Sequence, residues 1–151
     1  MRAMTRKHFA KADGGAAAIE FAIMGAALCL LVVATGDLGM GFYSYMQVQN
    51  SAQAGAEYAA VHGYNSSAIS TAVTSATSIT GLTASPAPAK FCGCPAGNAV
   101  TTVTCSTICA DGMTAGTYVS ASATRTYSTL ISYPMFPATY QQTSTSTVRI
   151  Q

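Results

Sequence analysis

Four cysteines in the second half of the chain are the residues best suited to chemistry. They occur as Cys92-Gly93-Cys94 and, ten residues later, as Cys105 and Cys109. Four clustered thiols can hold a tetrahedral zinc ion or form two disulfides. Paired zinc ligands usually have two to four residues between them, so the single residue between Cys92 and Cys94 is short for zinc. Two disulfides are the preferred interpretation, and zinc is the alternative.

The same spacing restricts how the disulfides can pair. A bond within Cys92-Gly93-Cys94 would be strained, so we expect each of these two cysteines to bond across to Cys105 or Cys109. Such bonds would join two short strands and stabilise a small domain with little core of its own. They also indicate an exported domain, because thiols oxidise outside the cytoplasm.

No other combination of residues predicts catalysis. The two histidines, His8 and His62, are far apart in the sequence, and Glu57 and Asp111 are the only acids after residue 37. The chain has no Gly-x-Ser-x-Gly motif and no glycine-rich phosphate loop. We therefore expect a protein that is not an enzyme and that has no catalytic residue, cofactor or metal.

The composition excludes an ordinary soluble cytoplasmic protein. Only 8% of the residues are charged, against about 25% in a typical soluble domain. The net charge of +2 comes with no basic stripe, which argues against a nucleic-acid partner.

An apolar run near the N-terminus predicts a membrane helix. Residues 16–36 contain Glu20 as their only charge, and 21 helical residues span about 31 Å, roughly one hydrocarbon core. The first thirteen residues carry a net charge of +4 − 1 = +3, which places the N-terminus in the cytoplasm and the remainder outside. A cleaved secretory signal peptide is the alternative. The length of the run and the position of Glu20 favour a retained helix.

This helix is predicted to continue beyond the membrane to residue 62. No proline interrupts it, and Phe42, Tyr45, Met46, Gln49, Ala52, Ala56 and Ala59 recur at three- and four-residue steps. Small side chains would allow close packing on the domain or on a neighbouring subunit, most of all at Ala52, Gly55, Ala56 and Ala59. The glycines at positions 36, 39 and 41 have two interpretations. They are either accommodated within a continuous membrane helix, or they mark a bend or a melted turn in it.

The remaining residues predict a small α+β head. A short helix is expected at residues 68–79, and strands at 91–94, 99–105, 117–130 and 143–151, with a proline-containing loop at 133–137. A mucin-like stalk is the alternative, since 20 of the last 51 residues are Ser or Thr, but the cysteines disfavour it. The predicted divisions are a basic leader at 1–15, a membrane-spanning and extended helix at 16–62, and an exported head at 63–151.

Three segments resemble the TadE family of Tad/Flp pilus assembly. They are GGAAAIEF at residues 14–21, DLG at 37–39 and QVQNSAQAGAEYA at 47–59. The resemblance implies a pilin-like helix and a pseudopilin function in building adhesive pili. It also implies a single-pass protein of the bacterial inner membrane with a periplasmic head. Its partners would be membrane lipid, other pilins or pseudopilins and the Tad secretion apparatus. Both incorporation into the pilus and priming of its assembly are compatible with this resemblance.

The resemblance also assigns roles to residues at the start of the helix. A prepilin peptidase would cut between Gly15 and Ala16, leaving Glu20 at mature position five with Phe21 beside it. The new amine of an incoming subunit could then pair with Glu20 of a neighbour and align the helices. The alternative for Glu20 is that it reaches the membrane interface near Lys11. A different class of function stays open as well, in which a membrane-anchored periplasmic or surface domain binds a ligand without joining a pilus.

Overall fold

The long helix forms as predicted. The computed structural model describes residues 13–97, 99–131 and 137–150. Helix α1 spans Asp13–His62, and its backbone stays helical through the three central glycines. Of the two alternatives for these glycines, the structure therefore supports a continuous helix that tolerates them. Most of the predicted leader, residues 1–12, lies outside the described residues.

Contacts divide the chain within α1, between Leu38 and Gly39. The second unit thus contains the outer part of the helix together with the sheet, whereas the predicted divisions followed the change of composition at residue 62.

The second helix begins and ends earlier than predicted. Helix α2 spans Ser66–Ser75, because the Asn65 side chain accepts a hydrogen bond from the Ala68 N–H at 3.1 Å and caps the first turn. Asn65 therefore marks the start of α2, three residues after α1 ends at His62.

An antiparallel sheet forms the rest of the head and confirms the α+β class. Its described strands are β1 Leu82–Thr83, β2 Ala89–Ala96, β3 Ala99–Thr102, β4 Gly116–Ser128 and β5 Thr139–Arg149. The four predicted strands correspond to β2 through β5, and the two-residue β1 was not predicted. The predicted strand at 99–105 is too long, because β3 ends at Thr102. Most of the predicted loop at 133–137 lies outside the described residues.

Strand β4 organises this sheet. It pairs with the whole length of β5, from Tyr118 opposite Arg149 to Ser128 opposite Thr139. It also pairs with β2 and with β1, and β3 extends the sheet from β2. The core lies between one face of this sheet, the outer part of α1 and α2, with Val48, Ile69, Val73 and Val119 fully buried.

Candidate functional site

The residues of the predicted cleavage and assembly site lie along the first turns of α1. Gly15, Ala16, Glu20 and Phe21 are all exposed, and Phe21 keeps 80% of its surface accessible. Ala16 and Glu20 are four residues apart, so they share one helix face. Glu20 is thus an exposed carboxylate on an otherwise apolar helix surface.

The surface around Glu20 has the character of a membrane-facing helix. Large side chains stay exposed along this segment, among them Ile19, Ile23, Leu28, Leu30 and Leu31. By length and composition, α1 could cross a membrane, and its most apolar window has a mean hydropathy of 2.4 with none of its residues buried. An apolar exposed surface of this length is stable in lipid rather than in water.

The outer part of α1 presents its small residues to the head. Ala52, Gly55, Ala56 and Ala59 are buried. A Cβ atom added at Gly55 would lie 2.4 Å from a methyl group of Val73 and 3.0 Å from the Cβ of Ala121. Glycine at this position therefore allows the helix to approach both α2 and β4 closely.

The buried face of α1 continues toward the N-terminus of the helix. Gly41, Ser44 and Val48 are buried, whereas Phe42 and Met46 are mostly exposed. Positions 41, 44 and 48 follow the helical repeat back from Ala52. The buried face of α1 therefore extends back from Ala52 as far as Gly41.

Substituting Gly55 by valine should strongly destabilise the head. The side chain would overlap Val73 and Ala121, and overpacking of this kind typically costs about 1–3 kcal/mol. We expect a lower midpoint of thermal unfolding for Gly55→Val in detergent. Gly36→Val is the matched control, since an added Cβ at Gly36 has no neighbour within 4 Å among the residues that the structure describes. Equal midpoints for the two variants would contradict the packing described here.

A buried polar cluster fixes the same helix to the far part of the sheet. The Ser44 hydroxyl donates to Oε1 of Gln142 at 2.6 Å, and Nε2 of Gln142 donates to the Gly41 carbonyl at 3.0 Å. Arg125 donates to the Ser44 hydroxyl and, at 3.0 Å, to the Thr80 carbonyl. Buried polar groups need such partners, so this cluster satisfies groups on α1, β4 and β5 together. No pattern in the sequence distinguishes Gln142, which lies in a mostly polar strand.

The four clustered cysteines form two disulfides, Cys92–Cys105 and Cys94–Cys109, which confirms the preferred interpretation. Both bonds run from β2 to the segment that follows β3. They therefore tie a loop to the sheet, whereas the prediction had them joining two short strands. The difference follows from β3 ending at Thr102, before either partner cysteine is reached.

An open cleft of about 400 Å³ lies beside the Cys92–Cys105 bond. Tyr64, Lys90, Phe91 and Ile150 contribute to its walls. The Lys90 ammonium lies 5.8 Å from the centre of the Tyr64 ring, within reach of a cation–π interaction. The cleft thus combines apolar walls with one cationic group.

Comparison with known proteins gives a match for α1. The family model described as TadE-like protein matches residues 15–57. The matched segment includes Gly15, Glu20 and three of the four buried small residues of α1, namely Ala52, Gly55 and Ala56. The sheet and its disulfides lie outside this match. No curated protein and no solved structure matches the chain. Over residues 15–57 of its long N-terminal helix the chain is therefore similar to TadE-like proteins.

Proposed function

We propose that this protein is a pseudopilin, a structural component of Tad/Flp pilus assembly. The observation that carries the proposal is the family match over a helix that could cross a membrane and that has Glu20 as the one charge in residues 16–36. In this proposal the protein spans the inner membrane once, with its head in the periplasm. A prepilin peptidase removes residues 1–15, and the processed chain associates with other pilins and the Tad apparatus.

Glu20 would align neighbouring helices in the assembly. A carboxylate within an apolar helix is costly in lipid unless an opposite charge compensates it, and such acids are functional candidates by default. Cleavage after Gly15 would create an amine at Ala16, and the amine of an incoming subunit could pair with Glu20. In a medium of low dielectric constant this pairing is much stronger than in water. The charge pair would therefore attract neighbouring subunits to each other and also fix the axial register of their helices.

Replacing Glu20 by alanine tests this role. We expect Glu20→Ala to remain in the membrane while about tenfold less of it associates with pili, equivalent to about 1.4 kcal/mol. Quantitative immunoblotting of membranes and sheared pili measures both pools. Glu57→Ala is the matched control, because Glu57 is exposed on the outer part of α1 and its partner Gln53 lies on the same helix, with Nε2 of Gln53 3.0 Å from Oε1 of Glu57. Normal assembly of Glu20→Ala would mean that Glu20 only reaches the membrane interface.

A second candidate function rests on the cleft beside Cys92. A membrane-anchored periplasmic or surface domain could use its apolar walls and Lys90 to bind a ligand without joining a pilus. This candidate requires neither cleavage at Gly15 nor a pilus ATPase. Adhesion that persists in cells lacking that ATPase would favour it over the pseudopilin.

A further inference from the structure

Strand β5 forms one edge of the sheet in the described part of the chain. Residues 118–120 of β4 pair with β2 and also with β5, so these two strands lie on opposite sides of β4. Within the described residues, β5 pairs with β4 alone. Its outer side is therefore a row of main-chain groups available to another strand.

The register identifies which residues of β5 face outward. The Ile150 N–H donates to the Thr117 carbonyl at 2.9 Å, and the Thr129 N–H donates to the Ala138 carbonyl at 2.9 Å. Because facing alternates along an antiparallel ladder, the even-numbered residues of β5 direct their main chain toward β4. The odd-numbered residues direct theirs to the edge; these are Thr139, Gln141, Thr143, Thr145, Thr147 and Arg149.

This edge lacks the features that usually prevent strand addition. Proteins protect their edge strands with prolines, lysines, bulges or very short strands. The 11 residues of β5 contain no proline, lysine or acid, and Arg149 at the end is their only charge. The β4–β5 register is continuous, one residue opposite one, without a bulge. Strand β5 is thus suited to accept a further strand.

The opposite side of the sheet offers a complementary edge. The Val103 N–H donates to the Cys92 carbonyl at 2.9 Å, so by the same alternation Val100 and Thr102 direct their main chain away from β2. Thr102 is exposed and Val100 half-buried. Strand β3 therefore has a short outward edge with two N–H and two carbonyl groups.

We propose that the β5 edge of one copy binds the β3 edge of a second copy, so that neighbouring heads form a continuous antiparallel sheet. Successive neighbours β5, β4, β2 and β3 are antiparallel, so β3 and β5 run in opposite directions. A second copy can therefore be placed beside the first by a shift alone. Antiparallel pairing of β5 with β5 would instead require a rotation of the second copy by half a turn. That rotation would reverse the direction of the elements that run along its sheet, relative to those of the first copy. A head-to-tail contact of this kind extends without closing.

This contact rests on the proposed function, because it requires copies held in one membrane with the same orientation. Two outward residues on β3 can form at most 2 × 2 = 4 main-chain hydrogen bonds with β5. Each such bond contributes modestly, so the contact is weak between free copies. Confinement of the copies to one membrane raises their effective concentration and makes a weak contact sufficient.

Photo-crosslinking of the full chain in lipid vesicles tests the contact. A photoreactive residue at position 102, with mixed ¹⁴N- and ¹⁵N-labelled copies, reports which segment of a second copy lies beside β3. We expect hybrid crosslinks from position 102 to β5. The yield should fall about tenfold in Thr145→Pro, which removes an outward N–H without removing a main-chain bond to β4. Both the proline and the valine variant lose the contact of the Thr145 hydroxyl with Ser122, so that loss does not distinguish them. Thr145→Val keeps the N–H and should retain the yield.

Two controls keep the test decisive. The same photoreactive residue at exposed position 74 on α2 should not give β5 crosslinks, and mass mapping should find both disulfides in Thr145→Pro. Absent hybrid crosslinks, or equal yields for the proline and valine variants, would overturn the edge contact. Pili that assemble normally without these crosslinks would reject the contact alone. Crosslinks in a chain that never supports pili would instead reject the proposed function.

Discussion

Loss of either disulfide is expected to lower the free energy of unfolding of the head by about 2–5 kcal/mol. The bonds close segments with sequence separations of 13 and 15 residues. The segment after β3 has little other support, since Ile108 and Met113 within it are 73% and 59% exposed. Constraint by the disulfides therefore replaces a hydrophobic core in this part of the head.

The two bonds should differ in their effect. Cys109 is buried, whereas Cys105 is exposed. Breaking Cys94–Cys109 by serine substitution also buries a hydroxyl group, so Cys94→Ser/Cys109→Ser should be less stable than Cys92→Ser/Cys105→Ser. Thermal unfolding of the full chain in detergent, with and without reductant, measures both effects. Cys29→Ser is the control, because Cys29 is a free thiol. An unfolding midpoint that reductant leaves unchanged would contradict this account.

Substitution of Gly15 by valine should abolish leader removal. We expect Gly15→Val to accumulate with residues 1–15 attached and to be excluded from assembly. A peptidase needs an extended backbone at the cut, and glycine permits this conformation without a side chain in the way. Inside the described part of the chain an added Cβ at Gly15 has no neighbour within 4 Å. The substitution should therefore block cleavage of this chain by the peptidase and leave the fold of the chain intact.

Gly25→Val serves as the matched control for this prediction. Gly25 lies in the same helix, and an added Cβ there also has no neighbour within 4 Å. It should be processed normally, because it is ten residues beyond the proposed cut. Normal maturation of Gly15→Val, or a block in both variants, would show that Gly15 does not define the site.

The long helix could be predicted because its signals are local. Absence of proline and a long apolar run are sufficient to predict α1, and Asn65 explains in retrospect where α2 begins. The approximate positions of the longer strands in the head could be predicted from their β-branched residues, but the residues at which they begin and end could not. Strand β1 has only two residues, Leu82 and Thr83, which is too short for any alternation to appear.

The disulfide pairing could not be chosen from spacing alone. Cys92 and Cys94 lie two residues apart on one strand, so both face the same side, and either partner cysteine was acceptable. The β2–β3 register brings Val103 beside Cys92, so Cys105 reaches Cys92 first. The loop then returns to place Cys109 beside Cys94. That register depends on the tertiary structure, which the cysteine spacing does not encode.

The polar cluster around Gln142 was missed for a similar reason. Gln142 is buried while Gln141 beside it is exposed, and nothing in the polar sequence of β5 separates the two. The side of the strand that faces the helix decides between them. Ser44 could have been found by extending the small-residue face of α1 backward at helical steps.

Intact-mass analysis of the protein extracted from pilus-producing cells tests the pseudopilin proposal most directly. The proposal predicts a chain that begins at Ala16 and is about 4 Da lighter than its reduced form, since each disulfide removes two hydrogens. The same analysis of cells lacking the prepilin peptidase should give a chain that still carries residues 1–15. A mature protein that begins at Met1 or Arg2 in pilus-producing cells would contradict the proposal.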